Sequence, residues 1–132
     1  MGVTSLLLDT HALLWLLLHP ERIPAETLAT VRAPETAVFV SAASAWEIAT
    51  KHRLGKLQGA GAVVSGYQEH LVRLRAAELP ITGHHALTAG ALQWSHRDPF
   101  DRVIVAQAVL ESLPVVTSDS ALVEFPVIRT LW

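Results

Sequence analysis

The sequence has no cysteine and little charge of either sign. Without cysteine among its 132 residues, disulfide bonds and thiolate chemistry are excluded, although this leaves the compartment open. Charged residues make up 17% of the chain, below the typical share of about 25%. The formal net charge of −2 argues against binding of polyanions by bulk positive charge. Any nucleic-acid binding therefore needs local basic residues or metal ions.

Long apolar runs are also missing. The leucine-rich N-terminus has no basic leader, is interrupted by Asp9 and His11, and its run Ala12–Leu18 is far shorter than the roughly 20 residues of a membrane-spanning helix. We therefore expect a cytoplasmic protein with no membrane segment. A chain of 132 residues has the size of one domain, 1–132, and its hydrophobic share of 51% predicts a well-covered core together with surface for a partner.

Predicted strands and helices alternate along the chain. The first strand, Val3–Asp9, contains three consecutive leucines, which is typical of a strand buried on both faces. The other predicted strands are Ala37–Ser41, Glu78–Thr82, Pro114–Asp119 and Val127–Leu131. The predicted helices are Thr10–Leu18, Pro24–Ala33, Ser44–Leu54, Val64–Arg75, Gly83–Trp94 and Phe100–Leu113. This alternation predicts an α/β domain with a central parallel sheet, right-handed crossovers, and helices on both faces.

Four carboxylates stand where predicted strands and helices meet. Asp9 and Asp119 end apolar strands, and Glu47 lies in the first turns of the helix after the second strand. Asp101 lies in the first turn of the helix that precedes the strand of Asp119. Because ligands of open α/β sheets bind outside the carboxyl ends of the strands, we expect all four acids in one cleft at that edge.

Each acid also has a purely structural interpretation. Asp9 and Asp119 are suited to cap the elements that follow them. Ser44 and Glu47 fit a capping box, and Asp98-Pro99 is a typical helix start. Taken singly, capping is the more frequent role of such residues. The combination of four acids at one predicted edge is what favours a shared site.

A cluster of carboxylates predicts a cation. Gathered like charges raise one another's pKa unless a cation neutralises them. Hard oxygen ligands suit Mg²⁺ or Mn²⁺, and one or two such ions, about 3.5–4 Å apart when paired, activate water for attack on a phosphodiester. The sequence therefore predicts a metal-dependent catalytic site; its predicted members, both as catalytic residues and as metal ligands, are Asp9, Glu47, Asp101 and Asp119.

The chain resembles the PIN-domain ribonucleases, and within them the VapC-like toxins of toxin–antitoxin pairs. The matching segments, in order, are LLLDTHALLWLL, SAASAWEIATKHRLGKL, LPIT, HRDPFDRVIVAQA and VVTSD, which together cover nearly the whole chain. The resemblance places the family's acids on the same four carboxylates. It implies an RNA substrate cleaved with a divalent metal ion, a homodimer, and inhibition by a small antitoxin protein.

The resemblance also concerns residues beside the acids. Thr117, or less closely Ser118, corresponds to the family's hydroxyl near the last acid. Asp98 matches an acid that is frequent in the subgroup, although it also suits a helix cap. Phe100 stands where many relatives have asparagine directly before the third acid, so that polar neighbour is missing here.

Basic residues near the acids have two interpretations. Lys51, Arg53 and Lys56 lie at helical spacing and form either a solvated face or a phosphate-positioning face. Arg97 and Arg102 flank the third acid and either hold RNA phosphate or pair with a carboxylate. The candidates for RNA contact are therefore Lys51, Arg53, Arg97 and Arg102.

Two other classes of function remain open. In a catalytically silent α/β binding module the acids would be helix caps only. A phosphoryl-accepting receiver or phosphatase fits poorly, because the last lysine is Lys56 and the position two residues after Asp9 is His11. The tryptophans are expected in the core or at an interface, with base stacking as the lesser alternative; these are Trp15, Trp46 and Trp94.

Overall fold

The computed structural model describes residues 4–132 and contains a central sheet of five parallel strands. The strands are β1 (Thr4–Leu8), β2 (Thr36–Ser41), β3 (Ala76–Leu79), β4 (Val115–Val116) and β5 (Thr130–Leu131). Their order across the sheet is β3-β2-β1-β4-β5, so β1 is central. The predicted parallel sheet is confirmed, while Val3, the predicted first residue of β1, lies outside the described residues.

Helices connect the strands. They are α1 (Thr10–Leu18), α2 (Ala25–Arg32), α3 (Ala42–Arg53), α4 (Ala60–Ser65), α5 (Tyr67–Leu74), α6 (Gly83–Ala91), α7 (Pro99–Glu111) and α8 (Ser120–Val123), with a 3-10 turn at Pro20–Arg22. In the part of the chain from residue 4 onward, no helix is long and apolar enough to cross a membrane.

The leucines of β1 explain its central position. Leu6 and Leu8 face one hydrophobic core with α1, α2, α4 and α5, whereas Leu7 faces a second core with α7 and α8. All three are almost completely buried, as expected for successive residues of a strand whose two faces are both covered. Helices on both faces of the sheet were predicted, and the two cores confirm them.

Several predicted elements have other bounds in the structure: the predicted strands Pro114–Asp119 and Val127–Leu131 shorten to β4 and β5, and the predicted helix Gly83–Trp94 shortens to α6. Two further differences have a local cause, a glycine and a proline. The predicted helix Val64–Arg75 is two helices, α4 and α5, which meet at Gly66. The predicted strand Glu78–Thr82 lies earlier, at Ala76–Leu79, where its backbone pairs with Val38 to Ser41 of β2. Pro80 has no N–H for the ladder, so the strand ends before it.

Candidate active site

Asp9 lies at the carboxyl edge of the sheet, between the ends of β2 and β4. Its side chain is only 3% exposed, and its backbone N–H donates to the Val116 carbonyl at 3.1 Å. Oδ1 accepts a hydrogen bond from the Ala12 N–H at 2.7 Å, which caps α1. Oδ2 accepts a hydrogen bond from the Thr117 hydroxyl. Asp9 therefore caps a helix and also presents a fixed carboxylate at the predicted edge.

Thr117 connects two of the predicted acids. Its buried Oγ1 donates to Asp9 and accepts the backbone N–H of Asp119 at 3.0 Å. Asp119 in turn accepts the Ala121 N–H at 2.9 Å and caps α8. Ser118 is exposed, so Thr117 is the hydroxyl that contacts the acids.

Glu47 takes no part in helix capping, so the predicted capping box of Ser44 and Glu47 is wrong. The N-cap of α3 is Ser41, whose Oγ accepts the Ala43 N–H at 3.0 Å. The Ser44 hydroxyl instead bonds the Thr10 hydroxyl at 3.0 Å, in a buried contact between α3 and α1. Ser41 and Ser44 are both suitable caps in sequence, and the tertiary contact decides between them. Glu47 then lies inside the helix, with its side chain almost completely buried.

Lys51 lies between the acids. Its Nζ donates to Glu47 Oε2 at 2.5 Å, while Glu47 Oε1 is buried and has no hydrogen-bond partner among residues 4–132. Burial of the ammonium opposes its charge, but the hydrogen bond to Glu47 and the charges of Asp98 and Asp101 outweigh burial and raise the pKa of Lys51. This lysine neutralises part of the acidic cluster.

Asp98 and Asp101 have different roles at the start of α7: one caps the helix and the other directs its carboxylate away from it. Asp98 Oδ1 accepts the N–H groups of Phe100 and Asp101, at 2.9 and 3.1 Å, so it is the predicted cap of α7. The Asp101 carboxylate extends from the first turn of α7, and its Oδ2 bonds His96 Nε2 at 2.7 Å. The sequence pattern carried no signal for His96, because the contact depends on how the 92–98 loop folds back.

The acids perturb one another electrostatically. Burial raises the pKa of Asp9, against its two hydrogen bonds, and the charge of Asp119 adds to the rise. Burial also raises the pKa of Asp101 to about 6, and the charges of Asp98, Glu47 and Asp119 add to this shift. The upward direction was predicted, although burial rather than mutual repulsion is its main cause. Asp119 therefore lies within electrostatic range of both Asp9 and Asp101, and Glu47 within range of Asp101.

A cation would need a rearrangement of the cluster. In the described part of the chain, no three carboxylate or histidine side chains are placed to hold one metal ion together. Lys51 and His96 hold Glu47 and Asp101 by hydrogen bonds. The carboxylate donors and the unpartnered Glu47 Oε1 nevertheless suit Mg²⁺ or Mn²⁺. The residues thus fit such an ion chemically, provided that Lys51 and His96 release their partners.

Arg102 has a different role from the predicted phosphate contact. Its guanidinium donates to the backbone carbonyls of four residues, at 2.8 to 3.0 Å; these are Ala89, Leu92, Trp94 and His96. Most of its N–H donors are therefore used to hold the 92–96 loop. Arg53 and Arg97 are exposed, which keeps both available for a ligand.

The tryptophans occupy three different settings. Trp15 packs against the core beside α1, as expected. Trp46 is 56% exposed and meets the ring of Phe100 edge to face, with centroids 4.6 Å apart. Trp94 stacks on Phe125 with centroids 4.7 Å apart. The prediction of a core or interface position is thus confirmed for Trp15 and for Trp94, which packs against the second core, whereas Trp46 exposes aromatic surface.

Comparison with solved structures finds chains of the same fold. VapBC2 from Rickettsia felis, bound to a promoter DNA fragment, matches with a TM-score of 0.70 at 13% identity, covering 97% of this chain and 98% of that one. A toxin–antitoxin complex from Klebsiella pneumoniae matches with a TM-score of 0.58 at 19% identity, covering 96% and 97%. FitAcB from Neisseria gonorrhoeae matches with a TM-score of 0.62 at 19% identity, covering 96% of each chain.

Sequence identities this low establish only the fold, and the family is established by a match to a family model. No curated protein matches the chain significantly. The family model of the PIN domain, however, matches residues 6–127, a span that includes all four predicted acids and the whole sheet except the first two residues of β1 and the edge strand β5. With the fold and the acidic edge already in place, this protein belongs to the PIN domain family.

Proposed function

We propose that this protein is a divalent-metal-dependent endoribonuclease and the toxin of a toxin–antitoxin pair. The observation that carries the proposal is the buried Asp9 carboxylate, bonded by Thr117 at the sheet edge with Asp119 close enough to raise its pKa. Acids held in such a cleft, with raised pKa values, are typical of functional sites. Membership of the PIN domain family supports the same conclusion.

The proposed ligands of Mg²⁺ or Mn²⁺ are Asp9, Glu47, Asp101 and Asp119. When bound, such an ion lowers the pKa of a coordinated water and offsets charge on the phosphodiester. The protein supplies orientation: Thr117 holds Asp9, and the α8 cap holds Asp119. Groups fixed before substrate arrives need no reorganisation during the reaction.

Basic side chains around the cleft are proposed to contact RNA phosphates. Arg53, in the last turn of α3, and Arg97, beside Asp98, are exposed and positively charged. Lys51 is proposed to exchange its carboxylate partner for a phosphate when the cation enters, since the two positive groups then compete for Glu47. Arg102 is not included, because its guanidinium holds the 92–96 loop.

The proposed partners are an antitoxin protein and a second copy of the chain. Solved structures of the same fold include VapBC2 and a complex described as toxin–antitoxin. The exposed Trp46 supplies apolar surface of the kind that interfaces bury. A ribonuclease toxin acts where cellular RNA is, so the proposal includes action in the cytoplasm.

Sequencing the RNA ends produced by the purified protein tests the proposal. We expect discrete new ends with Mg²⁺ or Mn²⁺ and none with EDTA. Asp9→Asn should abolish these ends while leaving the thermal unfolding transition cooperative. The exposed Glu35→Gln, at the opposite edge of the sheet, is the matched control and should cleave normally. Equal cleavage by Asp9→Asn and the parent would show that the catalytic assignment is wrong.

A catalytically silent binding module is the alternative that one observation favours. Asp9, Asp98 and Asp119 do cap α1, α7 and α8. Caps alone predict no stabilisation by Mg²⁺ or Mn²⁺, whereas a shared cation site raises the melting temperature with metal concentration. A metal titration of thermal unfolding therefore separates the two functions.

A further inference from the structure

A pocket of about 780 Å³ lies beside the acidic cleft. One wall is the 93–97 loop between α6 and α7, and the other is the 121–127 segment that contains most of α8. This size falls within the roughly 300–1,000 Å³ range of pockets that bind small molecules. We call it the 94–125 pocket, after the aromatic residues that line it.

Aromatic rings line this pocket. Trp94 stacks on Phe125 at 4.7 Å with planes inclined by 20°, and its ring centroid lies 4.8 Å from that of His96. Phe125 is buried and stacks on one face of Trp94, while Trp94 itself is half-buried. The rings therefore form a supported surface on which a further flat ring can stack.

The 94–125 pocket shares side chains with the candidate active site. His96 lines the pocket and bonds Asp101 at 2.7 Å. Ala121, on the other wall, donates its N–H to Asp119. Each wall of the pocket is thus hydrogen-bonded to a predicted catalytic acid, Asp101 on one side and Asp119 on the other. A chain molecule whose phosphodiester lies among the acids can place its neighbouring unit here.

Hydrogen bonds from Arg102 hold the 93–97 loop, which forms one wall of the pocket. Arg102 donates to the carbonyls of Leu92, Trp94 and His96, at 2.8 to 2.9 Å. These bonds fix the backbone that carries Trp94 and His96 before any ligand arrives. Such preorganisation lowers the entropic cost of binding.

We propose that the 94–125 pocket binds the base of the nucleotide next to the cleaved phosphodiester; this inference rests on the proposed ribonuclease function. Aromatic faces that stack bases are a general means of holding single-stranded RNA. Arg97, exposed on the pocket wall, supplies positive charge for the adjoining phosphate. Gln93 and Glu124 supply hydrogen-bonding groups for a base edge. The pocket therefore selects the base at one position beside the cut.

The first test observes binding without cleavage. The four nucleoside monophosphates AMP, CMP, GMP and UMP are titrated singly, without metal, into the full-length protein while its tryptophan indole N–H signals are followed by NMR. We expect the Trp94 signal to shift with at least one nucleotide and the Trp15 signal to stay in place. If no nucleotide at millimolar concentration moves the Trp94 signal, the proposal is overturned, and a protein segment becomes the occupant to consider.

The second test uses kinetics. Trp94→Leu keeps an apolar side chain on Phe125 but removes the stacking face, and Arg97→Ala removes the exposed cation. Both should raise KM about ten-fold with kcat within about two-fold, the size expected for loss of one stacking or phosphate contact. Trp94→Leu should also flatten the base preference at one position of the sequenced ends. Arg73→Ala, an exposed arginine on α5 near the other edge of the sheet, is the control.

The outcomes of these tests distinguish the pocket proposal from the ribonuclease proposal on which it rests. If the parent cleaves RNA and both variants keep its KM and its base preference, the pocket proposal is overturned while the ribonuclease stands. If the parent does not cleave but nucleotides shift Trp94, the pocket stands as a nucleotide site and the ribonuclease proposal is overturned. Should Trp94→Leu fail to fold, the nucleotide titration followed at the Trp94 indole signal still decides the pocket proposal.

Discussion

Thr117 donates its hydroxyl hydrogen to Asp9, joining the ends of β4 and β1 across 108 positions of the sequence. The same oxygen accepts the backbone N–H of Asp119 at 3.0 Å. One buried side chain therefore orients two acids that belong to different strand ends. The geometry of the cleft depends on this threonine as much as on the carboxylates themselves.

Thr117→Val should weaken catalysis without disturbing the packing, because valine has nearly the same shape but no hydroxyl. The lost hydrogen bond is one that lowers the pKa of Asp9, so this pKa should rise further. We expect cleavage at neutral pH to fall about 10- to 100-fold, as for other residues that orient metal ligands. The acidic limb of the pH–rate profile should move to higher pH. Thr117→Ser should keep the parental profile, and an unshifted profile in the valine variant would contradict the role.

Asp101→Asn should stabilise the metal-free protein at neutral pH. The pKa of Asp101 is raised from 3.8 to about 6 in the folded chain. The contribution of Asp101 to the free energy of unfolding is therefore complete at low pH, where its carboxyl group is protonated, and is lost as the pH rises through 6. Each pKa unit corresponds to about 1.4 kcal/mol, and we expect a gain of about 1–3 kcal/mol in unfolding free energy near pH 7.5. Urea unfolding in EDTA measures it. The gain should vanish near pH 4, and a less stable variant at pH 7.5 would oppose this assignment.

Lys51→Met should lower the stability of the metal-free protein and increase its stabilisation by Mg²⁺. Without the ammonium, Glu47 is a buried carboxylate with no partner, and we expect the unfolding free energy in EDTA to fall by about 2–3 kcal/mol. Added Mg²⁺ should then raise the melting temperature more in the variant than in the parent, since no lysine competes for Glu47. The exposed Lys56→Met serves as the control. Identical Mg²⁺ responses in variant and parent would argue against a shared cation site.

Arg102→Lys should destabilise the protein although it preserves the charge. A lysine ammonium cannot reach the four carbonyls that the planar guanidinium contacts, so most of these partly buried acceptors lose their partner. We expect a loss of about 2–4 kcal/mol in chemical denaturation, with Arg97→Ala near the parental value. A conservative change with no effect would show that the loop is held by other contacts.

Local sequence signals predicted most of the elements. Asp98-Pro99 marked the start of α7, and the consecutive leucines marked a strand covered on both faces. These features depend on neighbours in the sequence or on burial alone, which a pattern of apolar residues reveals. The parallel sheet was the basis for predicting four acids at one edge, and the raised pKa values of Asp9 and Asp101 agree with that prediction in direction.

Contacts between distant segments were not predictable in this way. Ser41 and Ser44 are equal as cap residues, and only the Thr10 hydroxyl on α1 distinguishes them. Similarly, His96 and Arg102 acquire their partners from the fold of the 92–98 loop, which no periodicity describes. The sequence suggested Lys51 as a phosphate contact, while the structure also shows it as the partner of a buried acid.

The largely exposed segment 54–59 divides the chain into two parts with two acids each, Asp9 and Glu47 before it and Asp101 and Asp119 after it. The parts are interleaved, because β1 of the first pairs with β4 of the second, and β2 of the first pairs with β3 of the second. Separately synthesised halves would each lack two of the four proposed ligands and half of their strand neighbours. Such a split protein should lack the proposed ribonuclease activity until its fragments recombine, so that recovery of RNA cleavage would report their association.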